Sequence, residues 1–393
     1  MRNATLDDLA TMLRDQQARK VDVVAPAKAI SSNEGMVHIK GAEPILTPDG
    51  VDLVDGVFQP TAIWHEGVAD KLGIPIAYLR RIHEQRTDLY DANVNGLLHG
   101  RNAKVRYDRA GDVTETLREA VPGDSRNFLV RTFRSDSDGG SGIARALLSD
   151  SYAPIDNLDV LLATLDGARQ AKADVVVGRC NLTDRRMYVE IDAPEVTTYA
   201  TALLRDYRSP FTGESGADNP TVWAGLLISN SEVGSGAFSL TPRMTIQVCR
   251  NGMTITKDAK RSIHLGSKMD EGVIRWGADT QRKNLDLIIA KTRDAVSTFL
   301  DVDYMNRVIA RMEAKAGAKV EQPAEAVKVV ARKLAFTQDQ ADGILDHFIR
   351  GADTSIGGLM NAVTSYAQTV ESADTAYDME AAAVKVLDLA GSI

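Results

Sequence analysis

The sequence predicts an α+β fold with a helical N-terminal part, a central antiparallel-rich β-sheet with hairpins, and a helical C-terminal part. Apolar residues recur at helical spacing near both ends, whereas segments between about 103 and 250 alternate apolar and polar residues as half-buried strands do. The predicted strands come in pairs instead of alternating with helices, which argues against a doubly wound parallel sheet. We therefore expect a helical or mixed region at 1–100, an α+β core at 101–270 and a helical region at 271–393.

The N-terminal region begins with a predicted helix over residues 4–20, because apolar residues recur at helical spacing and Thr5 with Asp8 resembles a capping box. Pro60 suits the first turn of a second helix, and Gly73 suits the residue after its last turn. The remaining predictions for this region are an extended stretch at 21–24, small strands or loops at 25–57, and helices at 60–73, 75–84 and 89–99.

The central region contains the strand patterns. Residues 174–192 are predicted to form a hairpin with its turn near Thr183 and Asp184, and a second strand pair is predicted at 223–229 and 244–249. We expect both pairs to be hairpins or neighbours in one antiparallel-rich sheet. The other predicted elements are strands at 104–107, 128–133 and 143–148 and a helix at 158–171.

The C-terminal region is predicted to be helical to its end. Residues 271–316 carry one long amphipathic pattern, and the stretch from Gly317 to Pro323 interrupts it. The helices predicted after this break span 324–335, 338–350, 356–371 and 376–390.

Composition excludes several classes of protein. Of the 393 residues, 44% are hydrophobic and 25% are charged, which is typical of a globular protein and not of a disordered or fibrous chain. The net charge of −8 means that any contact with nucleic acid must come from a local basic patch. Two cysteines cannot form a disulfide framework, and neither a signal peptide nor a long apolar run is present. We expect a cytoplasmic protein without membrane contact.

The sequence contains no signature of a nucleotide-binding or catalytic family, neither a phosphate-binding loop nor a nucleophile elbow. The six histidines and two cysteines lack the spacing of metal ligands. The sequence therefore predicts no cofactor, no metal and no catalytic residue, and favours a non-enzymatic role. A nuclease or phosphotransferase stays open as an alternative, since Asp150, Asp156 and Asp159 are candidates for an acidic metal cluster, although no recognised spacing unites them.

One stretch of the acidic chain is strongly basic. Six cations and one acid, Asp258, lie between residues 243 and 268. Alternate side chains of a strand share a face, so some of these cations could follow a phosphate backbone, with counterion release as the driving force. The alternative is a solvated loop that the acidic helices balance. Arg131 and Arg145, on strands beside a Ser/Gly loop, are predicted to join this nucleic-acid-binding patch. The six cations are Arg243, Arg250, Lys257, Lys260, Arg261 and Lys268.

Short motifs along residues 60–375 occur in an order that resembles a phage/plasmid-like family of unknown function, found in bacteriophages, prophages and plasmids. The resemblance implies a mobile-element setting in a bacterial host, near replication and recombination functions, and no catalytic residues. The motifs lie at Ala69–Pro75 followed by Tyr78-Leu79, Asn95–Leu98, Phe128–Arg131, Ala144–Tyr152 with Ile155–Asn157, Ile228–Gly234, Cys249–Gly252 and Asn361–Tyr366.

Two functions follow as hypotheses. The first is a mobile-element accessory protein that binds single-stranded DNA, by analogy with the ring-forming proteins of single-strand annealing and recombination, which also suggests a homo-oligomer. The low aromatic content of 5% weighs against it, since single strands usually stack on aromatic side chains. The second is a non-enzymatic interaction or assembly factor that acts on a host or phage protein through its long helical C-terminal part.

Overall fold

The computed structural model has the predicted α+β class: a helix near the N-terminus, antiparallel-rich sheets in the centre and a helical C-terminal part. The prediction of the fold class is confirmed. The structure describes residues 1–47, 50–52, 54–111, 113–135, 139–152, 155–248, 252–254, 260–262 and 278–392.

The first part of the chain, up to residue 149, forms one six-stranded sheet, three short strand pairs and four helices in its described residues. The predicted cap of the first helix is present, since the Thr5 hydroxyl accepts a hydrogen bond of 3.2 Å from the Asp8 amide. In chain order the elements are α1 (Leu6–Arg19), β1 (Lys20–Pro26), a 3-10 helix (Ala27–Ala29), β2 (Ile30–Asn33), β3 (Met36–Ile39), β4 (Ile45–Thr47), β5 (Gly50–Asp52), β6 (Gly56–Pro60), α2 (Ala62–Leu72), α3 (Ile76–Gln85), α4 (Thr87–His99), β7 (Gly100–Arg101), β8 (Lys104–Tyr107), β9 (Val113–Arg118), β10 (Val121–Pro122), β11 (Asn127–Phe133) and β12 (Gly142–Ser149).

The first sheet has the strand order β1-β11-β12-β6-β3-β2, and all neighbours are antiparallel except β12 and β6. Helix α2 packs so closely on β12 that a side chain does not fit at Gly67. A Cβ atom added there would lie only 2.5 Å from the Leu147 carbonyl oxygen. The sheet combines strands from both sides of residue 100. The division at residues 100 and 270 stays a prediction.

The second part of the chain forms a larger antiparallel sheet and most of the helices. Its elements are α5 (Asn157–Gln170), β13 (Val176–Leu182), β14 (Met187–Tyr199), α6 (Thr201–Leu204), β15 (Thr221–Asn230), β16 (Phe238–Ile246), β17 (Gly252–Thr254), β18 (Lys260–Ser262), α7 (Ala278–Phe299), α8 (Val302–Ala316), α9 (Pro323–Leu334), α10 (Gln338–Arg350), α11 (Ile356–Ala367), α12 (Ala373–Ala383) and a 3-10 helix (Val384–Ser392).

The second sheet runs in the order β13-β14-β15-β16-β17, with β18 also paired to β16. The prediction that the two strand pairs are neighbours in one antiparallel sheet is confirmed, since β13 pairs with β14 and β15 with β16. Strand β16 begins six residues earlier than the predicted start at Met244. Pro242 weakens the strand pattern there, yet it pairs in register with Leu226.

Helices α7 to α11 share the main hydrophobic core on one face of the second sheet, which we call its inner face, whereas α12 lies mainly on the opposite, outer face. The amphipathic pattern over 271–316 covers two helices in its described residues, since α7 ends at Phe299 and α8 starts at Val302. The Asp301 carboxylate causes the break, since it caps α8 by accepting a 2.8 Å hydrogen bond from the Tyr304 amide. Across the described residues, no helix combines the length and the apolar character needed to cross a bilayer.

Helix α1 packs on the second sheet, although the strand that follows it belongs to the first. Leu9 and Leu13 are buried in the core of the second sheet. Ala4 forms a backbone bridge to Cys180 on the edge strand β13, and the Asn3 amide donates to the Asn181 side chain over 2.8 Å. The N-terminal segment therefore completes the edge of a sheet whose other strands come much later in the chain.

A buried histidine lies between the helices that cover the first sheet. His65 is 6% exposed, and its Nδ1 lies 3.1 Å from the Tyr90 hydroxyl. Its ring centre is 4.4 Å from that of His83. Burial lowers the pKa of His65 to about 4, and the neighbouring His83 and Arg80 side chains add to the effect. Helix α2 turns this side chain inward.

We expect acid to destabilise the protein through His65. The unfolded chain takes up a proton near pH 6.5, whereas folded His65 stays neutral until about pH 4. The free energy of unfolding should therefore fall by about 2 kcal/mol as the pH drops from 6.5 to 4. Urea unfolding at several pH values measures this fall, and a His65→Gln variant should show a shallower one. Equal pH dependence in both proteins would contradict the assignment.

Candidate functional site

The predicted nucleic-acid-binding residues do not form one exposed patch in the described part of the chain. Arg131 is 0% exposed and Arg243 is 2% exposed, so the prediction that they contact phosphates is wrong for both in this structure. Lys260 and Arg261 lie in β18, where their backbones pair with Leu240 and Ser239 of β16. Arg250, Lys257 and Lys268 lie outside the described residues.

Arg131 is buried because it joins the two sheets. Its guanidinium contacts Asp22 of β1 at 2.7 Å and Asp156, which precedes α5, at 2.8 Å. Its Nη1 also donates to the Glu232 carbonyl oxygen over 2.6 Å. Burial raises the pKa of Asp156, but Arg131 and Lys20 more than offset this and hold it below its ordinary value. Arg131 is therefore a structural cation, and the carboxylates of Asp22 and Asp156 balance its charge.

Arg145 is also committed to an internal ion pair. Its Nη2 lies 2.6 Å from a Glu232 carboxylate oxygen, and the side chain is 11% exposed. The guanidinium carbon stands 4.1 Å from the centre of the Phe133 ring, within cation–π distance. The other Glu232 oxygen accepts from the Asn157 amide over 2.6 Å. Arg145 also lines the smaller of the two cavities described below, and its role in nucleic-acid binding stays a prediction.

Arg243 lies in a buried charge cluster on the outer face of the second sheet. It contacts Glu190 and Glu380 at 3.4 Å each. Arg179 pairs with Glu190 at 2.9 Å. Burial raises the pKa of Glu380, and Arg243 offsets this only in part; burial also raises the pKa of Glu190, but Arg243 and Arg179 leave it below its ordinary value. Helix α12 supplies Glu380 and covers the cluster.

A cleft opens where the first sheet meets the second. It consists of two adjoining cavities of about 500 and 230 Å³, both of which Arg185 and Val233 line. Helix α2 and strand β12 form one wall. The turn between β13 and β14 and the loop after β15 form the other. We call this feature the inter-sheet cleft.

The inter-sheet cleft brings together two of the motifs on which the family resemblance rests. The motif at Ala144–Tyr152 supplies Ser149 and Ser151, and the motif at Ile228–Gly234 supplies the opposite loop. That loop turns sharply at Gly234, whose φ is +79°. Segments separated by about eighty residues in the sequence thus line one cavity wall each.

The cations at the mouth of the cleft are Arg185 and Arg186, in the turn between β13 and β14. Their side chains are 38% and 33% exposed. Arg185 pairs with Glu66 of α2, and Arg186 donates to the Ser235 carbonyl oxygen over 2.8 Å and contacts Asp378 of α12 at 3.5 Å. Sequence reasoning placed a hairpin turn here but missed both arginines as site residues. Two adjacent arginines in a predicted turn were the available signal.

Further cations stand on the α2 side of the mouth. Arg80 is 44% exposed and pairs with Glu66 at 2.6 Å, while Lys71 lines the larger cavity. Glu66 thus holds Arg80 and Arg185 together across the cleft. Because these pairs are partly exposed, a phosphate can compete with the carboxylate at low energetic cost.

The side chains that a catalytic site would need, namely acids, a thiol and a hydroxyl, do not lie together in the described residues. Asp156 is tied to Arg131, Asp150 is exposed and Asp159 is half-buried, and among the described residues no three His, Cys, Asp or Glu side chains are grouped to hold a metal ion. Burial raises the pKa of Cys180 to about 11, so its thiol stays protonated at neutral pH. Burial likewise raises the pKa of Tyr152, beside the cleft, to about 12. Neither group is therefore activated as a nucleophile at neutral pH.

Comparison with models of known protein families, with curated protein sequences and with solved structures finds no match for this chain.

Proposed function

We propose that the protein binds single-stranded nucleic acid in the inter-sheet cleft, as an accessory protein of a phage or other mobile element in the cytoplasm of a bacterial host. The mobile-element setting rests on the family resemblance. The observation that carries the binding proposal is a pair of partly exposed arginines: Arg185, which lines both adjoining cavities, and Arg186, which lines the smaller one.

The chemistry of the cleft suits a phosphate backbone. The planar guanidinium groups of Arg185 and Arg186 match phosphate oxygens in shape and charge. The hydroxyl groups of Ser149 and Ser151 and the peptide groups near Gly234 are typical further donors to phosphate. Phosphates carry no base identity, so this site should bind with little sequence preference.

The Arg185→Ala, Arg186→Ala double variant tests the proposal. We expect about tenfold weaker binding of a labelled oligothymidylate at low salt, because two phosphate contacts are lost. The slope of log K against log salt should flatten by about 1.4 units, at about 0.7 per contact on a single strand. Fluorescence anisotropy at several salt concentrations gives both quantities.

The matched control removes two arginines far from the cleft, Arg169 and Arg293, which are 82% and 46% exposed and pair with acids as the cleft arginines do. Their double alanine variant should bind like the wild type. If the cleft variant instead keeps the affinity and salt slope of the wild type, the proposed site is wrong.

The interaction-factor hypothesis keeps one supporting observation. The ribbon of β8 and β9 stands apart from both sheets, and Val113 and Leu117 on β9 are 55% and 45% exposed. An isolated two-stranded ribbon with apolar side chains in water is only marginally stable by itself, which favours a protein contact, including one with a second copy. This hypothesis becomes the leading one if no form of the protein binds oligonucleotide at low salt.

A further inference from the structure

Helix α12 lies across the outer face of the second sheet, next to the inter-sheet cleft, and contacts it through both polar and apolar side chains. The Tyr188 hydroxyl of β14 donates to Asp374 over 2.9 Å, and Asp378 contacts Arg186 at 3.5 Å. The ring of Tyr377 stacks on that of Tyr188, with ring centres 4.3 Å apart and planes 20° apart. These contacts all come from the N-terminal half of α12.

This half of the helix presents the sheet with the chemistry of a nucleotide. Two carboxylates meet Arg186 and the Tyr188 hydroxyl, and a flat ring stacks on Tyr188 as a base would. From Ala373 to Ala383 the helix contains three acids and no Lys or Arg. Arg186 also lines the cleft, so the covered surface continues the proposed binding site.

The two halves of α12 are attached differently. The C-terminal half is anchored, because Met379 and Ala383 are part of the main hydrophobic core and Glu380 pairs with buried Arg243. The N-terminal half rests on a small apolar cluster of Tyr188, Leu227, Ala373 and Tyr377. Its buried polar attachment point is the Tyr377 hydroxyl, which donates to Glu190 and accepts from Asn181, each over 2.9 Å. Asp378 is 70% exposed, so its contact with Arg186 is readily exchanged for another anion.

We infer that Tyr188 is a base-stacking residue of the nucleic-acid site and that the N-terminal half of α12, Ala373–Asp378, is a displaceable acidic cover over it. The inference rests on the proposed function, because a bound nucleic-acid strand reaches Tyr188 from the inter-sheet cleft, past Arg186. In the covered state Tyr377 and the two carboxylates occupy the places of base and phosphate. Displacement of the cover adds one aromatic stacking position to a site that otherwise contacts only the sugar–phosphate backbone of the nucleic acid.

The test compares oligothymidylate affinity in variants of the full chain. Asp374→Asn with Asp378→Asn weakens the cover, and we expect about fivefold tighter binding because the open state becomes more populated. The control variant, Asp339→Asn with Asp342→Asn on exposed positions of α10, removes the same charge and should change affinity far less.

Two changes at Tyr188 separate stacking from structure. Tyr188→Phe keeps the ring and loses the hydrogen bond to Asp374, so binding should become tighter. Tyr188→Leu removes the ring, so binding should become about tenfold weaker than in the Phe variant. A merely structural role would move both variants in the same direction. If the Leu variant does not fold, the Phe variant and the asparagine pair decide the matter.

Each outcome bears on one proposal or on both. An asparagine pair that binds no tighter than its control, or equal affinity of the Phe and Leu variants, overturns the cover and the stacking role. If the Arg185 and Arg186 changes still weaken binding in that case, the proposed function stands. Failure of every variant to bind overturns both.

Discussion

Replacing Arg131 by alanine is expected to lower the free energy of unfolding by about 3–5 kcal/mol. The substitution leaves the Asp22 and Asp156 carboxylates and the Glu232 carbonyl oxygen without their shared donor. A buried charge that loses its partner costs far more than an exposed pair, because little water reaches it. Since these contacts join the first sheet to the second, the two sheets should also unfold less cooperatively.

Urea unfolding followed by circular dichroism measures the loss of stability. Arg126→Ala is the matched control, because Arg126 lies beside the same strand, is 54% exposed and pairs with Asp124. That control should cost under about 1 kcal/mol. A loss of similar size in both variants would contradict the structural role of Arg131.

The loss in the free energy of unfolding caused by Arg131→Ala should also depend on pH. In the wild type Arg131 and Lys20 outweigh burial and hold the pKa of Asp156 below its ordinary value, so the ionised carboxylate stabilises the fold at neutral pH. Without Arg131 that pKa rises, and protonation relieves the buried charge. The difference in the free energy of unfolding between variant and wild type should therefore become smaller as the pH falls from 7 toward 4.

Replacing Arg243 by methionine is the second large change, and we expect a loss of about 3–5 kcal/mol in the free energy of unfolding. Glu380 loses its ion-pair partner on the sheet, and in the described part of the chain Glu190 is left with Arg179 and the Tyr377 hydroxyl. The anchored half of α12 should loosen, which amide hydrogen exchange in Ala373–Ala383 would detect as faster exchange.

A compensated variant keeps this prediction falsifiable. Arg243→Met combined with Glu190→Gln and Glu380→Gln removes the buried charges together with their partner, and should recover most of the lost stability. If the triple variant is as unstable as Arg243→Met alone, the loss comes from packing of the arginine side chain and not from its charge.

Local patterns predicted the elements of the fold well, because each depends on neighbours in sequence. Alternation and turn residues located the β13–β14 hairpin, and helical spacing with a capping pair located α1. The break between α7 and α8 was not predicted, because the amphipathic pattern continues across it. A single capping carboxylate, that of Asp301, marks where the second helix starts.

The candidate site was harder to predict, because burial of a charge depends on partners that are remote in sequence. A lone arginine on an alternating strand looks solvent-facing. Arg131 is buried because Asp22 lies opposite it, 109 residues away, and Arg243 because Glu380 arrives from 137 residues downstream. The inter-sheet cleft likewise exists only once the loop after β15 meets β12.

The placement of α1 on the second sheet has a consequence for synthesis on the ribosome. Asn3 finds its partner Asn181 after 178 further residues, which takes roughly 10–35 s at ordinary translation rates. During that interval the apolar side chains of Leu9 and Leu13 have no core to enter, and the edge of β13 is not yet made to receive Ala4. The segment from Asn3 to Leu13 therefore can dock on the second sheet only after β13 has been synthesised.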